Sequence, residues 1–109
     1  MKIYEIWLLI VAFVYRLARR VAVDDKDLAR QMKRACASVA LNLSEGMHGR
    51  GANRVARFHD AMGSARETRA CLDVCIAARF IDRKAVASEL DRIDHVIASL
   101  YNLCHKRRP

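Results

Sequence analysis

Apolar residues recur at helical spacing in four blocks, separated by short polar or glycine-bearing stretches. The first block, Ile3 to Arg20, is apolar around nearly its whole circumference. Between Ile6 and Tyr15 no side chain carries a charge, an amide or a hydroxyl except Tyr15. A bundle helix needs an apolar face of about three positions in seven, so this helix must be buried on more than one side. Either it is central to its own bundle, or a surplus face packs against another subunit. A chain of 109 residues has few ways to hide a helix completely, which favours a second subunit.

The second block starts near Asp25, with Asp24, Asp25 or Asp27 available as helix cap. Leu28, Met32, Ala35, Cys36, Val39 and Leu43 form its apolar stripe, and Gly46 is expected just past its end. Gly46 to Gly51 reads as a loop, with Asn53 capping the third helix. That helix carries Val55, Phe58, Met62, Ala65, Leu72, Cys75, Ile76 and Phe80 on one side. Asp82 should cap the fourth, whose stripe is Val86, Leu90, Ile93, Ile97, Leu100 and Cys104. The short connections make sequential helices antiparallel neighbours. The pattern predicts an all-α fold, an antiparallel up-down-up-down four-helix bundle forming one domain over residues 1–109.

Composition agrees. Glycine occurs four times and proline once, as Pro109, which excludes a turn-rich β-sandwich or barrel. The Ile6–Tyr15 run is too short for a membrane span, which needs about 20 apolar residues. Lys2 ahead of it suggests a secretory signal, but Glu5 interrupts the basic region. Tyr15-Arg16-Leu17-Ala18-Arg19-Arg20 then stands where a cleavage site should be. A cytoplasmic protein without membrane association is expected. Cys36, Cys71, Cys75 and Cys104 fall in helical patterns, three of them on apolar stripes, which suits reduced thiols better than a disulfide framework.

Charge changes the picture most. Twenty Lys and Arg against twelve Asp and Glu give a net +8, a surplus that favours an anionic partner such as nucleic acid. On a helical projection Lys26, Arg30, Lys33 and Arg34 share one sector of the second helix, opposite its apolar stripe. Arg54, Arg57 and Arg69 form a looser stripe, joined by Arg50 in the loop, and His105-Lys106-Arg107-Arg108 makes a third cluster. Any one cluster fits an ordinary solvated face, but three together point to phosphate contacts. Aromatics are only 6% of the chain, which disfavours stacking platforms for single strands.

Catalytic chemistry is not indicated. The Gly-rich loop is followed by no Gly-Lys-Ser/Thr, so it is not a phosphate-binding P-loop. Cys71 and Cys75 lack the spacing of a metal knuckle, and His48, His59 and His95 read as surface groups. Glu45 has no evident acid or base partner. No enzyme, cofactor or metal is expected. Gly63 lies inside a helix, where it costs about 1 kcal/mol relative to alanine, so close helix packing is expected there, with Ser64 bonding across or back to its own turn. Asn42 and Glu45 are placed to bond the adjoining loop, and Glu45 to pair with an arginine of the third helix.

Several segments also resemble a known family. These are Tyr4-Glu5-Ile6-Trp7, Val14-Tyr15-Arg16-Leu17 and Leu28-Ala29-Arg30-Gln31-Met32-Lys33-Arg34-Ala35. Ser38-Val39-Ala40-Leu41-Asn42-Leu43-Ser44-Glu45-Gly46 is similar to that family's Asn-Ile-Ala-Glu-Gly signature. Phe58 and Gly63-Ser64-Ala65-Arg66-Glu67 are similar to its Gly-Ser-x-x-Glu. The family is the bacterial four-helix-bundle proteins, which include proteins encoded in 23S rRNA intervening sequences and the accessory variability determinant of diversity-generating retroelements. The resemblance implies a ring-like homopentamer with a basic surface and, from the retroelement member, binding of RNA and a reverse transcriptase. Asn42, Glu45, Gly46, Gly63, Ser64 and Glu67 are the motif residues it singles out. Val21-Ala22-Val23 departs from a frequent Phe-Pro, no Tyr-Gly precedes Leu28, and Ala65 and Thr68 replace larger apolar residues.

The expected function is a non-catalytic, basic, homo-oligomeric RNA-binding protein. Lys26, Arg30, Lys33, Arg34, Arg50, Arg54, Arg57 and Arg69 are its candidate contacts. The alternative is a protein-interaction scaffold for a partner such as a reverse transcriptase.

Overall fold

A computed structural model describes residues 1–105. Four helices follow one another: α1 (Lys2–Val21), α2 (Lys26–His48), α3 (Gly51–Ala77) and α4 (Ala87–Cys104), the last preceded by a 3-10 turn over Arg83–Val86. Each packs antiparallel against its sequence neighbours, and α4 returns to α1, closing the up-down-up-down bundle. The long third helix draws the molecule out to 49 × 23 × 19 Å.

The core is one cluster running the length of the bundle, centred on Trp7, Met32, Leu43, Phe58, Leu72, Ile93 and Leu100. Trp7 is fully buried and donates from Nε1 to the Cys36 carbonyl, 2.8 Å away, fastening α1 to α2. Thr68, the buried polar residue of α3, returns its hydroxyl to the Ser64 carbonyl at 2.9 Å. On α1, Leu8, Leu9 and Tyr15 stay 39–61% exposed although Ile6 and Phe13 are partly covered. The apolar excess of this helix is therefore real and is not consumed within one chain.

Helix ends depart from the expected pattern in three places. Asp25 caps α2, accepting the Leu28 N–H at 2.9 Å, but α2 does not stop at Gly46. It runs to His48, with Gly46 buried inside it. A Cβ built on Gly46 would meet Phe58 Cε1 at 2.5 Å, so glycine serves close approach of the α3 ring rather than termination. Helix α3 begins at Gly51, not after Asn53. Gly51 takes φ +57°, a conformation glycine adopts without steric cost. Asp82 caps the 3-10 turn, accepting the Ala85 N–H through its backbone carbonyl, instead of capping α4.

Two stripes shift accordingly. In α4, Val96 is fully buried and Ile97 only partly, because a 3.6-residue helix drifts about 20° per heptad against a strict 4–3 pattern. In α3, Val55 is exposed, and Phe80 lies past the helix in the α3–α4 connection. That connection begins with a Schellman motif: the Phe80 N–H reaches the Cys75 carbonyl (2.9 Å) and the Arg79 N–H the Ile76 carbonyl (3.1 Å). Arg79 occupies its left-handed position at φ +63°, where glycine is usual and an L side chain costs about 1–2 kcal/mol.

Candidate nucleic-acid interface

Lys26, Arg30, Lys33 and Arg34 are all exposed on the N-terminal half of α2. Arg30 meets Asp27 at 3.5 Å, a contact between two solvated groups that is worth little. Lys26, Lys33 and Arg34 form no ion pair among the described residues. Exposed and without ion pairs among the described residues, they leave this sector able to hold an anion without first breaking an internal contact.

The looser stripe divides. Arg50 is exposed and forms no ion pair among the described residues. Arg54 donates to the Gly46 carbonyl at 3.2 Å, and its guanidinium stands 4.9 Å from the Phe58 ring centre. Arg57 lies between Glu45 (3.6 Å) and Asp60 (3.5 Å). Arg69, only 25% exposed, joins Asp73 at 2.6 Å and Asp94 at 3.0 Å and so ties α3 to α4. These three arginines are engaged in holding helices together. Of the C-terminal cluster, His105 stacks on Tyr101, while Lys106, Arg107 and Arg108 lie outside the described residues.

The motif residues gather where α2 crosses α3. Ser38 Oγ and Ser64 Oγ are 2.8 Å apart, so Ser64 bonds across the helix pair. Asn42 donates to the Ser38 carbonyl (2.9 Å) and Oγ (3.2 Å), one turn back along its own helix and not to the loop, because α2 continues beyond it. Glu45 meets Arg57 of α3, the pairing its position suggested. Gly63 is the exception. It is exposed, and a Cβ built there meets nothing within 4 Å, so no close packing inside the chain accounts for it.

Gln31, Arg34, Ser38, Ser64 and Glu67 line a polar depression of about 350 Å³. It joins the basic sector to the motif residues, a link that neither pattern alone made visible. Gln31 was missed as a lining residue. Its signal is the seven-residue polar spacing Gln31, Ser38, Glu45 along one flank of α2.

The four cysteines are free thiols. Burial pushes Cys36 up to about 12, partly offset by its contact with Trp7, and Cys75 up to about 11. Cys71 and Cys104 are raised as well, again chiefly by burial. Such thiols stay protonated and weakly nucleophilic. Among the described residues no group of three His, Cys, Asp or Glu side chains converges on a metal site, and no helix is long and apolar enough to cross a membrane.

A family model described as 23S rRNA-intervening sequence protein matches residues 1–102. No curated protein matches the chain. Among solved structures, the chain is similar to a protein of unknown function from the S23 ribosomal protein family of Bacteroides thetaiotaomicron VPI-5482. The two share 18% identity and superpose with a TM-score of 0.86, over 95% of this chain and 99% of that one. At that identity the likeness is one of fold.

Proposed function

We propose that this chain, which belongs to the 23S rRNA-intervening sequence protein family, is a non-catalytic cytoplasmic protein that binds RNA through phosphate contacts. The observation that carries the proposal is the exposed set Lys26, Lys33 and Arg34, without ion pairs among the described residues, on one sector of the N-terminal half of α2. Arg30 and Arg50 extend it. Arg54, Arg57 and Arg69 are assigned a supporting role, since their guanidiniums already hold α2 and α4 to α3. Sequence readout is weak, because phosphate contacts position a protein without reading bases. Filter binding of a structured RNA at low salt tests the proposal: retention that falls steeply with added salt supports it, and absence of retention at micromolar protein refutes it.

The protein acts as a homo-oligomer, taken as the pentamer that the resemblance implies. Two surfaces support self-association. One is the uncovered strip Leu8, Leu9 and Tyr15 of α1. The other is the outer face of α3, where Ala56, Gly63, Ala70 and Ala77 are exposed at seven-residue steps and leave room for another helix backbone. Light scattering distinguishes a monomer of 12.4 kDa from a species five times that mass. The α1 strip also suits a scaffold role toward a protein such as a reverse transcriptase. A pull-down after nuclease treatment separates the two readings, because a direct protein contact survives the loss of RNA.

A further inference from the structure

Where α1 and α3 end, Phe13, Ile76, Phe80 and Ile81 line an open groove of about 840 Å³. These side chains pack on the core from below and are only partly buried, so the apolar interior continues to the surface here. Arg20, Arg79 and Arg83 line the same groove. All three are exposed, and none forms an ion pair among the described residues. Asp82 is the one acid lining it.

Two further considerations bear on the groove. Three exposed guanidiniums lining one concavity make it a focus of positive potential. Arg79 moreover occupies the left-handed position of the Schellman motif, at φ +63°, where glycine fits without strain. A strained side chain at that position needs an offsetting interaction, and the connection itself supplies none: Arg79 makes no side-chain hydrogen bond or ion pair among the described residues.

We propose that this groove binds an acidic segment of a partner protein. A large apolar side chain of that segment rests on the floor formed by Phe13, Ile76, Phe80 and Ile81. Flanking carboxylates pair with Arg20, Arg79 and Arg83, whose planar forks match carboxylate geometry. A nucleobase fits less well. Ile76 and Ile81 make half of the floor aliphatic, which suits a branched or aromatic side chain better than the flat face of a base. A base stacked on Phe13 or Phe80 is the competing occupant that the test below separates. The proposal does not rest on RNA binding by α2, which uses other residues.

The probe is a fluorescein-labelled synthetic peptide with one Phe and one Leu set among Asp and Glu residues, followed by anisotropy at about 0.15 M salt. Wild-type protein binds it. Arg79→Gly, which suits the backbone, binds at least about tenfold more weakly while its melting temperature is kept or raised. Arg83→Ala weakens binding in the same direction, and so does replacing the peptide's Phe and Leu by Ser. Failure of the wild type to bind overturns the proposal, as does equal affinity for the Ser peptide. Undiminished binding by Arg79→Gly/Arg83→Ala overturns it too. Displacement of the peptide by an oligouridylate of equal charge reassigns the groove to RNA. Filter retention of structured RNA is read separately, so each proposal can fail without the other.

Discussion

Trp7 and Cys36 are both fully buried, and the indole N–H of the first donates to the backbone carbonyl of the second at 2.8 Å. The only tryptophan of the chain thus spends its polar atom on the middle of α2, whose own helical bonds leave that carbonyl a spare lone pair. Trp7→Phe removes the bond and part of the ring volume. We expect a loss of about 2–3 kcal/mol, from roughly 1 for the hydrogen bond and the rest for the cavity. Urea unfolding of the two proteins measures it, and a change below about 0.5 kcal/mol would contradict this role.

Gly46 and Gly63 both lie inside helices, yet alanine should act oppositely at each. Gly46→Ala drives a methyl into the Phe58 ring, which is itself buried in the core. Overpacking there outweighs the helix-propensity gain, for a net loss of about 1–2 kcal/mol. Gly63→Ala meets nothing in the chain and stabilises the isolated chain by up to about 1 kcal/mol. If α3 faces a second copy, the same methyl weakens assembly. Thermal unfolding gives the sign at each position, and light scattering of the Gly63 variant reads the assembly.

The cations separate by role. Substituting Lys26, Lys33 and Arg34 together with Gln should leave stability nearly unchanged, because none is ion-paired among the described residues. It should flatten the dependence of log affinity for RNA on log salt by about 2–3 units. Arg69→Gln should instead lower the melting temperature with little effect on that slope, since it unties Asp73 and Asp94. An unchanged slope in the triple variant would remove these residues from the interface.

Alkaline pH should destabilise the fold through its thiols. Cys36 and Cys75 ionise near their ordinary 9.0 when unfolded but only at about 12 and 11 when folded. Below pH 9 both states hold the protons and the thiols contribute no slope. Above it the unfolded state releases them first, and stability falls by about 1.4 kcal/mol per pH unit for each thiol until the folded thiol also ionises. Denaturant unfolding at pH 8, 9 and 10 should show that decline, and Cys36→Ala/Cys75→Ala should show less of it.

The bundle was legible in the sequence because burial follows the 3.6-residue period. Leu28, Met32, Val39 and Leu43 are read directly from spacing and are buried as expected. The exposed sector of Lys26, Arg30, Lys33 and Arg34 is the complement of that stripe and follows from the same arithmetic. What spacing does not carry is pairing between helices. Gly46 looks like a terminator until Phe58 is set against it, and the bond from Arg54 to the Gly46 carbonyl leaves no trace in the spacing. The groove was hidden for a related reason. Phe13 belongs to α1 while Arg79 and Phe80 belong to the α3–α4 connection, and only the approach of that connection to α1 brings them to one surface.

The Gly46 carbonyl accepts from the Gly49 N–H and from the Arg54 guanidinium, each at 3.2 Å. The last turn of α2 is thus completed by a side chain of α3, and the Phe58 ring fills the space beside it. Neither end of the connection can be finished alone. The α2–α3 hairpin therefore forms and opens as one cooperative unit, and amide protons near Met47 and His48 should exchange in step with those near Phe58 rather than fray as a free helix end does.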